Sequence, residues 1–193
     1  MKIDGYEIEP LHPGRFDDLV TVLGRSGIGG CWCMYWTHRT SVAWGEGAKG
    51  GSDAPNRQAF FQQTQQGPPP GLLAYEDGSP IAWCRVMPRA DLPGLANSRY
   101  FKTDLDITGV WALACFVVKA GHRGKGMTST LTKAAIEFVR HQGGTTIEAY
   151  PWDTVERRPS SAVYLGMAST FERLGFEVVQ RLAPHKPMMR LAV

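Results

Sequence analysis

The sequence predicts an α+β fold in which one mixed sheet is covered by helices, and three stretches carry that expectation. Val110–Val118 is an unbroken run of apolar and thiol residues. It is followed by the basic glycine loop Gly121-His122-Arg123-Gly124-Lys125-Gly126 and then by an amphipathic segment closed by Gly143-Gly144. An uninterrupted apolar run bounded by loop residues is the pattern of a strand buried on both faces. Leu72–Tyr75 and Ile81–Met87 flank Asp77-Gly78, the turn signal of a hairpin. Phe176–Leu182 and Pro187–Leu191 form a second hairpin pair. A strand–helix–strand unit with hairpins on both sides gives a mixed sheet rather than a fully parallel one.

Each element has a local reason. Tyr6–Leu11 sets Tyr6, Ile8 and Pro10 against polar neighbours, the two-residue period of a first strand. Pro13 suits the start of a helix that carries Phe16, Leu19, Val20 and Leu23 on one face. Gly24–Gly30 is rich in glycine but follows a helix rather than a strand, which makes it a turn and not a nucleotide loop. Cys31-Trp32-Cys33-Met34-Tyr35-Trp36 reads in two ways: as a core strand, or as one wall of a pocket hung between glycine-rich loops. Gly45–Pro55, polar and glycine-rich, reads as a surface loop. Arg57–Gln66 is helical, and Gly67-Pro68-Pro69-Pro70-Gly71 stops it because proline lacks the amide donor a helix needs. Pro88–Thr108 is irregular and charged. After Gly126, the residues Met127, Leu131, Ala134, Ala135, Phe138 and Val139 recur at helical spacing, so one face packs on the sheet. Thr145–Tyr150 is the next strand, Thr154–Ser161 a polar loop, and Leu165–Leu174 a short helix capped by Gly175 and Phe176. With no internal repeat, residues 1–193 read as a single domain.

Composition narrows the class. Of 193 residues, 43% are apolar and 20% charged, the balance of an ordinary globular protein with a sizeable core. A net charge of +3 without a basic run argues against a nucleic-acid partner. Cys31, Cys33, Cys84 and Cys115 lie in or beside apolar stretches and read as reduced, partly buried thiols. One Cys-x-Cys is too little for a zinc site, so no metal is expected. No charged-then-apolar leader and no apolar run of about 18 residues is present. Neither export nor a membrane partner is therefore expected, and the cytoplasm is the default.

The loop before the long helix has the makings of an anion site. Glycines at 124 and 126 remove the Cβ atoms that would hold a phosphate away from the backbone amides. The helix N-terminus adds the positive end of its dipole, and Arg123 and Lys125 add charge. The spacing is not a Walker A loop, since no Lys-Ser/Thr follows the last glycine, nor is it the full dinucleotide fingerprint. Val118 followed by Arg123-x-x-Gly126-x-Thr128 resembles the central motif of the GNAT superfamily of acyl-CoA-dependent N-acetyltransferases. The superfamily pattern is Arg/Gln-x-x-Gly-x-Gly/Ala, from which the chain departs at Thr128. Phe171-Glu172-Arg173-Leu174-Gly175-Phe176 resembles the helix-end signature of the same superfamily. The resemblance covers the chain from about Gly71 onward.

That resemblance implies a GNAT-like, three-layer α/β/α fold with a mixed, mostly antiparallel central sheet flanked by helices. It implies an acyltransferase that passes the acetyl group of acetyl-CoA to a primary amine by direct attack in a ternary complex. The cofactor's pyrophosphate would lie on Arg123, Gly124, Lys125, Gly126, Met127, Thr128 and Ser129. Its pantetheine arm would lie on Phe116, Val117 and Val118, where the central strand splays from its neighbour. Many relatives protonate the leaving thiolate with a tyrosine four residues before Gly175. Here that cofactor-binding position is Phe171, which has no proton to give. Tyr164 and Ser169 are the alternatives, beside the ordinary reading of Tyr164 as a structural tyrosine.

For the base, Val110-Trp111-Ala112 lacks the glutamate that some relatives carry early in the central strand. Glu148, mid-strand in apolar company, is the candidate, a setting that raises a carboxyl pKa. Asp153 and a water chain are the other options, and a salt-bridged strand glutamate is the ordinary reading of Glu148. Trp32, Tyr35 and Trp36 are the candidate substrate-binding residues, with Asp104 and Asp106 at the same mouth. Aromatic faces suit a small-molecule amine with an apolar or aromatic body. A homodimer is compatible with the resemblance. Two other functions share such a fold: a non-catalytic acyl-CoA-binding sensor or interaction module, and an acetyltransferase for protein lysines or N-termini.

Overall fold

The computed structural model describes residues 1–50, 54–156, 159 and 162–193, so the expected loops at Gly45–Pro55 and Thr154–Ser161 lie partly outside the described residues. Eight strands form one sheet: β1 (Lys2–Ile3), β2 (Tyr6–Pro10), β3 (Gly71–Glu76), β4 (Ser79–Pro88), β5 (Val110–Val118), β6 (Thr146–Ala149), β7 (Glu177–Arg181) and β8 (Pro187–Ala192). Their order across the sheet is β1-β2-β3-β4-β5-β6-β8-β7. Neighbours pair antiparallel except β5 with β6, which run parallel. The helices are α1 (Phe16–Leu23), α2 (Gly27–Gly30), α3 (Ser41–Ala48), α4 (Pro55–Thr64), α5 (Pro93–Ala96), α6 (Met127–His141) and α7 (Ala168–Glu172). The mixed, mostly antiparallel sheet between helical layers is the architecture the sequence predicts.

Alternation along the strands divides the core. On β3, Leu72 and Ala74 face one layer while Leu73 and Tyr75 face the other. The first layer is α6 with α7: Met127, Leu131, Ala134, Ala135, Phe138 and Val139 share a core with Cys84, Leu113 and Ile147. Leu131 has no exposed surface. Burying such a side chain contributes about 1.5–3 kcal/mol, and Leu131→Ala would cost roughly 2–5 kcal/mol once the cavity is counted. The second layer sets Phe16, Leu19 and Val22 of α1 and Phe60 of α4, with Trp32 and Met34, over Leu73, Tyr75 and Trp83.

Three local expectations change. The surface loop at Gly45–Pro55 is in part helix α3, which Thr40 opens by accepting the Ala43 N–H on its hydroxyl (3.1 Å). Cys31–Trp36 is neither strand nor helix but a run of turns, with Trp32 and Cys33 at φ +48° and +56°. The helix expected over Leu165–Leu174 contracts to α7, because Met167 is extended and bridges to Trp152.

Two features of β5 position the site. Its parallel pairing with β6 joins Val110–Leu113 to Thr146–Ala149 and stops there, while β5 runs on to Val118. On its other edge, Arg85 pairs with Cys115 and Val86 with Leu113, so Ala114 is an extra residue in the ladder. Such a bulge bends a strand and re-aims the side chains beside it.

Candidate active site

Where β5 and β6 part, a cavity of about 1100 Å³ opens along the free length of β5. Ala114 to Val118 form its floor, and Arg123, Gly124 and Gly126 to Ser129 line one end. Thr170, Arg173 and Tyr164 border it from the C-terminal side. Cys31, Cys33, Tyr35, Trp36 and Trp44 close the other end.

The first end presents the start of α6 and a basic glycine loop. Gly126 stands at the N-cap of α6 with φ +81°, a left-handed conformation that suits glycine, and Gly124 has φ +76°. Ser129 and Thr130 fold their N–H groups back onto the Gly126 carbonyl (2.8 and 3.2 Å). The amides just before them belong to the unpaired first turn of the helix, where the dipole favours negative charge. Arg123 donates from Nε to the Val118 carbonyl (2.9 Å), which ties the loop to the strand it follows. Lys119 and Arg173 also line the cavity, so three cations surround this end. Lys125, expected with them, is exposed and stands outside the lining.

The other end is aromatic. Tyr35 meets Trp36 and Trp44 edge to face, at 4.7 and 5.5 Å between ring centroids. Trp36 is buried, and its indole N–H is without a partner among the described residues. Trp32 is a correction. It has no exposed surface, stacks on Phe16 at 6.1 Å and lies under the Arg57 guanidinium at 5.6 Å. Gly27 makes room for it, since a Cβ there would sit 2.2 Å from the indole. The positive φ values at Trp32 and Cys33 turn Trp32 into the core and leave Tyr35 and Trp36 on the cavity. Trp44, not among the residues expected here, joins them from α3.

Further site expectations need correction. Glu148 is fully buried and outside the cavity. Its Oε1 accepts from Arg89 Nε (2.5 Å) and from the Tyr150 hydroxyl, and its Oε2 accepts from Arg190 Nε (2.7 Å). With both oxygens committed, it is a structural ion cluster and not a base. Ser169 is exposed and away from the lining: α7 turns Thr170 and Arg173, three residues apart, toward the cavity instead. Phe171 points inward, packed at 6.2 Å on Phe116 and 5.3 Å on Phe176. Asp104 and Asp106 are not in the lining, and Asp106 caps the Thr108 N–H (2.9 Å). Asp153, the second base candidate, pairs with Arg181 (2.7 Å), also away from the lining.

Tyr164 does line the cavity, where burial pushes its hydroxyl well above the usual tyrosine value, so it stays protonated at neutral pH. Its own carbonyl accepts the Phe116 N–H (2.6 Å), one of the strand groups expected to face pantetheine. No Asp, Glu or His occurs among the described lining residues. No group of three or more His, Cys, Asp or Glu among the described residues is placed to hold a metal ion.

A long slot with an anion seat at one end and an aromatic chamber at the other suits transfer of a group from a phosphate-bearing donor to a second molecule. The family model described as the acetyltransferase (GNAT) family matches residues 35–167, and the chain belongs to that family of acyltransferases. No curated protein matches the sequence. Among solved structures, an agmatine N-acetyltransferase shares the fold at TM-score 0.56 and 12% identity, covering 98% of this chain and 100% of its own. An N-acetyltransferase from Staphylococcus aureus Mu50 is similar at TM-score 0.53 and 12% identity, with 97% of each chain covered. The PaiA N-acetyltransferase of Thermoplasma acidophilum, in complex with coenzyme A, is similar at TM-score 0.52 and 14% identity, covering 97% of this chain and 99% of its own. At such identities the likeness is one of fold. No helix among the described residues is long and apolar enough to cross a membrane.

Proposed function

We propose that the protein transfers the acetyl group of acetyl-CoA to the primary amine of a small molecule with an apolar or aromatic body, by direct attack in a ternary complex. One observation carries the reading: a single cavity joins the amides of the α6 N-terminus to the ring edges of Tyr35, Trp36 and Trp44. Acetyl-CoA is the donor used by the family to which the chain belongs, and the T. acidophilum relative was solved with coenzyme A. In this reading the pyrophosphate lies on the amides from Gly124 to Thr128, with Arg123 and Arg173 beside it. The pantetheine arm runs along β5, and the thioester sits near the bulge at Ala114. A backbone N–H aimed at the developing oxyanion contributes a few kcal/mol in acyl transfer. Tyr164, protonated and in the lining, supplies the proton that the departing thiolate needs.

The absence of carboxylates from the described lining favours an apolar acceptor over a polycation, whose charges would need acidic partners. The chamber is enclosed by three large rings, which favours a small molecule over a protein segment. The test is a panel of arylamines, aralkylamines, amino acids, polyamines and aminoglycosides, assayed for release of coenzyme A thiol. Turnover concentrated among the aromatic amines is expected. Release of no thiol with any amine, despite acetyl-CoA binding, would favour a sensor instead.

A further inference from the structure

Among the described residues, the chamber that would receive the amine has no Asp, Glu or His in its lining, yet a buried cation lies behind it. Arg85 of β4 has no exposed surface. Its Nη2 donates to neutral groups only, Thr37 Oγ1 (2.9 Å), Gln63 Oε1 (2.8 Å) and Met87 Sδ (3.1 Å). Nε and Nη1 are buried without a hydrogen-bond partner among the described residues. An arginine does not shed its proton in a protein, and an uncompensated buried charge is costly. An anion therefore belongs beside Arg85, and the acidic groups that interact with it are the thiols of Cys33, Cys115 and Cys31.

Their geometry ranks them. Cys115 is the cross-strand partner of Arg85 in the β4–β5 ladder, next to the bulge at Ala114. Cys33 accepts a hydrogen bond from Trp83 Nε1 (3.3 Å) and another from the Cys115 thiol. The Cys115 hydrogen bond, with Arg85 and Trp83, holds the Cys33 thiol below its ordinary value against the opposing effect of burial. Cys115, the donor in that bond, is pushed well up, and burial raises Cys31. The titratable groups facing Cys33 are thus Arg85 and Cys84 from β4, Cys115 from β5 and Cys31 from its own turn. Tyr164 faces Cys115, Tyr35 and Cys31 from the C-terminal wall. Cys31, Cys33 and Cys115 all line the cavity.

We propose that Cys33, paired with Arg85, takes the proton from the acceptor ammonium, with Cys115 as the link between them. The proposal rests on the acetyltransferase reading of the cavity. The ammonium donates to the Cys115 sulfur, and as its proton moves there, the Cys115 proton moves to the Cys33 thiolate. The amine lone pair, now free, forms the bond to the thioester carbon while the carbonyl π pair moves to oxygen. Collapse of that oxyanion breaks the carbon–sulfur bond. The remaining extra proton on nitrogen replaces the one Tyr164 gives to the departing sulfur, and the proton held by the thiol pair leaves to solvent. The balance is one ammonium and one thioester consumed, and one amide, one thiol and one proton formed. Cys33 is catalytic in this scheme, and Arg85 is a positioning residue that keeps it charged.

Cys33→Ser keeps the hydrogen bonds but replaces the thiol with a hydroxyl that does not ionise in the working range. Its kcat/KM at pH 7 should fall about 10²-fold or more, since general-base catalysis contributes on that scale. Acetyl-CoA affinity by calorimetry should be unchanged, which also reports that the variant folds. Its log kcat/KM should keep climbing toward the pKa of the amine, whereas the wild type levels off at lower pH. Arg85→Met should move that levelling to higher pH, and the pH dependence of Cys33 alkylation should move with it. Should Cys33→Ser fail to fold, the wild-type and Arg85→Met alkylation profiles carry the test. Either of two results overturns the proposal. One is a wild-type pH profile in Cys33→Ser, or in its absence an Arg85→Met profile that does not move. The other is an acetyl group on Cys33 or Cys115 after incubation with acetyl-CoA alone, which would make the sulfur a nucleophile. A wild-type protein that binds acetyl-CoA but acetylates no amine defeats the acetyltransferase reading itself, a different outcome from either.

Discussion

Replacing Glu148 with glutamine separates a structural carboxylate from a catalytic one. The change keeps the shape but leaves Arg89 and Arg190 facing a neutral amide, one end of which is itself a donor. Arg89 is 3% exposed and Arg190 17%, so water screens Arg89 hardly at all. Breaking a buried pair by removing one partner costs about 3–5 kcal/mol, chiefly because the other charge stays buried. For a chain of this size each kcal/mol shifts Tm by roughly 2–4 °C, so Glu148→Gln should melt about 6–20 °C below the wild type. Urea unfolding should show a lower midpoint at an unchanged slope. Adding Arg89→Met should recover part of the loss, because the two changes share one partner. A variant of wild-type stability whose acidic pH–rate limb has flattened would refute this reasoning and return Glu148 to the mechanism.

Other expectations follow from the same geometry. Gly126→Glu sets an anion in the phosphate seat, and calorimetry should detect no acetyl-CoA binding to a protein with a normal circular dichroism spectrum. Arg123→Ala should weaken binding less, because the amides and the helix dipole remain. Trp36→Ala should raise the acceptor KM and spare acetyl-CoA affinity. Trp32→Ala should instead cost about 3–5 kcal/mol of stability, as large-to-small changes of core aromatics do. Tyr164→Phe should slow turnover without changing acetyl-CoA affinity, whereas a loss confined to affinity would assign the ring to cofactor binding. Burial pushes the Cys84 thiol up to about 12 from 9.0, so the unfolded chain gives up this proton first. Its contribution to stability is complete below pH 9 and is lost as pH rises from 9 to 12. Urea midpoints measured across that window should fall less steeply in Cys84→Val.

What the sequence made legible was what neighbours along the chain decide. The apolar run of β5, the period of α6 and the Asp-Gly turn of the β3–β4 hairpin each rest on contacts within a few residues or on one repeated face. The loop geometry at the start of α6 was legible for the same reason, since Gly124, Gly126 and the first turn of α6 are contiguous. Glu148 misled because Ile147 and Ala149 are apolar, while the partners that decide its role, Arg89 and Arg190, come from 59 and 42 residues away. Trp32 misled because two consecutive positive φ values reverse the side-chain order that a strand or helix would impose. On α7 the register was the difficulty: Ser169, Thr170 and Phe171 are adjacent in sequence but face solvent, cavity and core in turn. The thiols read as core filling because Arg85, whose partners among the described residues include no carboxylate, is distant from Cys31 and Cys33 in sequence.

The place of β8 between β6 and β7 bears on how the protein is made. Strands are synthesised in numerical order, yet the inner position beside β6 goes to β8, the later of the two. Until β8 emerges from the ribosome, β6 has an unpaired edge and Glu148 lacks Arg190, which β8 carries in direct register with it. In the folded sheet β7 pairs, among the described residues, with β8 and not with β6. The N-terminal half can therefore collapse early around β2 to β5, while the sheet's C-terminal half waits for one late strand. During that interval the nascent chain presents an open strand edge of the kind that pairs with other chains. Slowed translation between β7 and β8 would lengthen the exposure, and yield of folded protein would be the quantity to suffer.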